Sequence, residues 1–129
     1  MGRSVSLARF LGRYLFVLGL LLFIQGAASL IRQAIDYDAG WLVNGLLNAD
    51  PLHAAIHIAW GLTMIASAFV LNARQIASVA LVFGVFYVGL AALGVAVYHP
   101  LGLRLDFFEN AFHWTVGPLT LALGVGAIR

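Results

Sequence analysis

Asn48-Ala49-Asp50-Pro51-Leu52-His53-Ala54-Ala55-Ile56-His57-Ile58-Ala59-Trp60-Gly61 is the stretch on which the reading of this chain turns. Aspartate is a favoured N-cap and proline is favoured at the first helical position, so Asp50-Pro51 starts a helix. His53 and His57 are one turn apart. Side chains at that spacing share a helix face, about 40° apart around the axis. Gly61 follows on the same stripe. Beyond it the sequence stays apolar to Leu71. The stretch therefore reads as the head of an apolar helix carrying two histidines.

The rest of the chain fits that reading. Of its 129 residues, 63% are hydrophobic and 9% charged, against about 25% charged in soluble domains. A chain this small has no interior large enough for so much apolar surface, whereas lipid covers it directly. The class is a single-domain integral membrane protein. There are no cysteines, which excludes disulfides, iron–sulfur ligation and thiol catalysis. All seven basic residues are arginines, so Schiff-base and lysine-relay chemistry are excluded too. No basic stripe suited to nucleic acid is present.

Four apolar segments are expected as transmembrane helices, at about 10–34, 51–71, 76–98 and 107–128. The first follows Arg3 and Arg9 as a secretory signal would, but its run from Phe10 to Ile31 exceeds the usual ~7–15-residue signal core. Gly12, Gly19 and Gly26 mark one of its faces as a packing seam. Residues 32–50 are mixed polar and apolar, with Trp41 suited to the headgroup level. Asn72 to Gln75 reads as a tight turn, making the second and third helices an antiparallel hairpin. Ala80, Gly84, Gly89 and Gly94 are close-packing candidates on the third. His99-Pro100 ends that helix. Asp106 caps the fourth, and Pro118 predicts a kink within it.

Arg3, Arg9, Arg13, Arg74 and Arg129 fall at one end of such a bundle, and only Arg32 and Arg104 at the other. The positive-inside rule then places both termini in the cytoplasm. All five acidic residues and all four histidines gather at the opposite end.

An internal repeat is visible there. Asp50, His53, His57 and Gly61 correspond in order to Asp106, Glu109, His113 and Gly117. Phe16 to Gly19 and Phe83-Gly84 share an aromatic/glycine pattern. The expectation is an all-α four-helix bundle of two antiparallel helix pairs, related by a pseudo-two-fold axis along the membrane normal.

These motifs, Asn48, Asp50, Leu52, His53, His57 and Gly61, then Asp106, Asn110, His113 and Gly117, resemble the small bacterial four-helix membrane proteins classed as a domain of unknown function. The resemblance spans most of the chain. It departs at Glu109, where a closer copy would carry histidine. It implies the fold, its topology and the bacterial inner membrane as the location, and it implies no activity.

If the second and fourth helices pack at their outer ends, His53, His57, Glu109 and His113 converge, with His99 near enough to join. Three imidazoles and a carboxylate form a reasonable metal ligand set. His57 and His113 on facing helices suit a haem or chlorophyll-type pigment held axially. The same groups also serve as helix-end hydrogen bonders in a structural role. With Asp50 and Asp106 read as caps, the structural role leads. The expected function is a non-enzymatic accessory or structural subunit with no cofactor, partnered by lipid and by other membrane subunits or further copies of itself. Metal, haem or pigment binding is the alternative, and a small proton-coupled transport module the second alternative.

Overall fold

The computed structural model describes residues 2–38, 40–47, 50–97 and 100–128, with side chains from Leu7 onward. Five α-helices run in chain order: α1 Gly2–Ile35, α2 Trp41–Leu46, α3 Pro51–Val70, α4 Ala73–Ala96 and α5 Phe107–Ile128. Pro100–Gly102 forms a single 3₁₀ turn. Four of the helices contain spans long and apolar enough to cross a membrane: Leu7–Ile35, Pro51–Val70, Ala73–Ala96 and Phe107–Ile128. Large side chains such as Phe69, Val82, Val85 and Val95 are exposed on their outer faces, as lipid contact requires.

Helix ends follow local chemistry. α1 begins well before residue 10, because arginine is a good helix former and apolarity marks a span rather than a helix. It stops where Asp36 takes a left-handed φ of 46°, a conformation aspartate tolerates better than most residues. Asp50 caps α3, accepting the His53 N–H at 3.0 Å, with Pro51 in the first turn. Asn72 caps α4 through a capping box with Gln75. That box moves the start of α4 back to Ala73, so residues 73–75 are helix rather than turn. α5 continues through Pro118. The stretch read as mixed interface folds back as α2. The Asp38 carboxylate accepts from the Gly40 N–H at 3.0 Å and the Asn44 amide at 2.6 Å. Arg32 Nε reaches the Leu47 carbonyl at 3.1 Å.

Packing pairs α1 with α3 and α4 with α5, while α3 and α4, joined by the short 71–72 link, touch much less. Glycines set both pairings. A Cβ on Gly61 would lie 2.7 Å from the Gly19 carbonyl oxygen and 2.7 Å from the Phe23 nitrogen, so α1 and α3 cross backbone to backbone. A Cβ on Gly26 would meet the Ala54 oxygen at 2.6 Å. In the other pair, Gly117 lies against Tyr87 and Val88, and Gly84 against Leu121. The glycines below His57 and His113, Gly61 and Gly117, do not bring α3 and α5 together. They instead bring each helix against its own partner, since the nearest backbones are those of α1 and α4. Two glycines in the expected seams do little: Gly12 meets only the Ile76 side chain at 3.7 Å, and nothing lies within 4 Å of a Cβ on Gly89. Between the pairs, Leu11, Leu15, Leu22, Met64, Phe83 and Tyr87 form the core.

Candidate metal centre

Two features aim the site. Asp50 and Asp106 fix where α3 and α5 begin: Asp106 accepts the Glu109 N–H at 3.2 Å, as Asp50 does for His53. Asp50 also accepts the Arg104 N–H at 2.8 Å, tying the loop before α5 to the head of α3. Burial pushes the Asp50 carboxyl up. The N–H groups of Arg104 and His53 outweigh it and hold the group below its ordinary value. The two helix heads are thereby locked at one level, and residues three and seven positions after each cap point inward.

Those residues are His53, His57, Glu109 and His113, and all four are buried. Their ligand-capable atoms lie within 4.8 Å of one another, the one such group among the described residues. The rings of His53 and His57 are 4.5 Å apart, His53 and His113 5.4 Å, and His57 and His113 6.3 Å. His53 Nε2 stands 3.6 Å from Glu109 Oε2. That is too long for a hydrogen bond. It is close to the ~3.4 Å between two donors of one tetrahedral ion with bonds of about 2.1 Å.

Hydrogen bonding sets the tautomer of one ring. His57 Nδ1 pairs with Oε1 of Gln25, on α1. The Gln25 amide is oriented by its other end, whose Nε2 donates to the Leu46 carbonyl at 3.0 Å and lies 3.4 Å from Glu109 Oε1. The oxygen therefore faces His57, Nδ1 is the protonated nitrogen, and Nε2 carries the lone pair. Such an outer partner orients a metal-binding imidazole. Gln25 belongs to neither of the two sequence motifs that supply the cluster. The signal available was a lone glutamine in an apolar helix one position before Gly26, where α1 meets α3.

Among the described residues, both ring nitrogens of His53 and of His113, and Nε2 of His57, make no hydrogen bond. Each unpaired buried polar group costs about 1–3 kcal/mol. The sequence alone placed these groups close to the membrane surface, where exposure to water makes them cheap. Fully buried, they need a partner. The Tyr87 ring packs edge-on to His113 at 4.9 Å, with its hydroxyl also unpaired.

A cavity of about 360 Å³ abuts the cluster from the side of α2. His57, Glu109 and Gln25 form its polar end, and Leu21, Ile24 and Phe112 its walls. Metal sites built only for structure are closed, whereas those that take an outside ligand keep a position open. His99, expected near this end, and Asn48 lie outside the described residues. No family model matches the chain, and no curated protein or solved structure is detectably similar to it.

Proposed function

We propose that this is a membrane protein that binds a transition-metal ion through His53, His57, Glu109 and His113. One observation carries the reading: five buried imidazole nitrogens without a hydrogen bond and a buried carboxylate converge from two helices. Imidazole with one carboxylate suits Zn, Cu, Fe or Ni. Gln25 positions His57, and the cavity beside His57 and Glu109 offers the ion a further ligand. The accessory-subunit reading rests on exposed apolar faces. Lipid covers those equally well, so the polar cluster supports metal binding over that reading.

The same proposal places both termini in the cytoplasm of a bacterial cell, with the metal centre at the outer end of the bundle, from the arginine distribution. It takes the two helix pairs as diverged copies. Gly26 against Ala54 and Gly94 against Asn110 support this, because Ala54 and Asn110 each follow a cluster residue, His53 and Glu109.

Elemental analysis of untagged protein, purified in detergent and incubated with each metal, tests the proposal. About one ion per chain is expected, lost in the His57→Ala/His113→Ala double variant. No stoichiometric ion in the parent, or equal metal in the variant, overturns it.

A further inference from the structure

The opposite end of the bundle carries a second feature, independent of the metal centre. A groove of about 1080 Å³ opens there between α1, α3 and the start of α4. Arg9 and Arg13 line it from α1, one turn apart and so on one face, and Arg74 lines it from the first turn of α4. None of the three guanidinium groups makes an ion pair or side-chain hydrogen bond to a described residue. The reason is topological: Asp36, Asp38, Asp50, Asp106 and Glu109 all sit at the far end of the helices, so no acidic side chain is within reach.

The remainder of the groove is apolar. Phe16 and Phe69 meet edge to face at 5.6 Å on its wall. Gly12, whose missing side chain would meet only Ile76, leaves the α1 side open. Cations at one end and an apolar wall continuing along a membrane-spanning helix match a molecule with an anionic head and an acyl tail. Arginine forks bind phosphate oxygens in pairs, and basic residues next to a bilayer draw anionic lipid. The α4 amino end adds no competing anion site, because the Asn72 side chain already accepts from the Arg74 and Gln75 N–H groups.

We propose that this groove is a binding site for one anionic phospholipid, its phosphate held by Arg9, Arg13 and Arg74 and an acyl chain lying along Gly12, Phe16 and Phe69. A soluble phosphate would use the arginines and leave the apolar wall idle. A zwitterionic lipid would use the wall and bring its own cation to the arginines.

The test uses the full chain in neutral detergent, with phosphatidylglycerol, phosphatidylcholine of the same acyl chains, or inorganic phosphate added. Native mass spectrometry reads retained lipid, and thermal unfolding reads stabilisation. One phosphatidylglycerol per chain is expected, with at least tenfold preference over phosphatidylcholine. Arg13→Gln/Arg74→Gln should abolish that preference. Gly12→Phe, which fills the groove with every arginine in place, should abolish retention, and it decides the matter if the double variant does not fold. Equal retention of phosphatidylcholine, the same stabilisation by phosphate alone, or retention surviving Gly12→Phe overturns the proposal.

Discussion

Gln25 holds His57. The amide oxygen of Gln25, on α1, takes the Nδ1 proton of His57, on α3, and leaves the buried Nε2 with its lone pair unused. The contact joins a residue inside the first apolar helix to the cluster that the second and fourth spans create. It gives Gln25 a role separable from that of the ligands.

Removing that hydrogen bond should weaken metal binding without abolishing it. Outer partners of metal-bound histidines are worth about 10–100-fold in affinity. Gln25→Ala should fall in that range when the protein competes with a chelator of known affinity, with one ion per chain still bound at saturation. Unchanged affinity would show that Gln25 serves only to hold α2.

α2 should govern how fast the ion leaves. A Cβ on Gly45 would come within 2.6 Å of the Phe108 ring, so Gly45→Val should push α2 away from α5 and open the cavity. A loss of about 1.4 kcal/mol in the closed arrangement corresponds to roughly tenfold, and release to excess chelator should accelerate by that order. Stopped-flow chelation measures it. An unaltered rate would mean that the ion exits by another route.

The helix crossings give a contrast between two glycines. Gly61→Ala sets a methyl against the α1 backbone and should cost about 1–3 kcal/mol. Gly89→Ala meets nothing within 4 Å and replaces a poor helix former, so it should be neutral or stabilising by up to about 1 kcal/mol. Reversible unfolding in mixed micelles distinguishes them. Equal effects would contradict the backbone contact between α1 and α3.

Asp50 should make stability fall in acid. Its carboxyl lies below the ordinary value because the Arg104 and His53 N–H groups overcome the effect of burial. A depressed carboxyl stabilises fully above its unfolded pKa of about 3.9, and the contribution is lost as pH falls through the folded value. Asp50→Ala should cost about 1 kcal/mol near neutrality, the usual worth of a cap. Asp50→Asn should keep much of the cap and flatten the acid limb. A parent-like acid limb in Asp50→Asn would assign that dependence to another group.

What the sequence determined by itself was local. Apolar runs longer than a bilayer gave four helices long and apolar enough to cross a membrane. Asp50-Pro51 gave the start of α3, because capping is decided by side chains within three residues of one another. The spacing of His53 with His57 and of Glu109 with His113 put each pair on one helix face. Which helices cross closely was a tertiary decision. The glycines of α3 and α5 signal a close approach and carry no label for its partner, and the structure pairs α1 with α3 and α4 with α5. Burial of the four-residue cluster was decided there too, since depth along a helix says nothing about what closes over its end. Gln25 became part of the site only when α1 folded against α3, because a hydrogen bond between residues 25 and 57 leaves no periodic trace in the chain. The opening stretch thus supplied two of the four cluster residues, and the packing of the two helix pairs buried them.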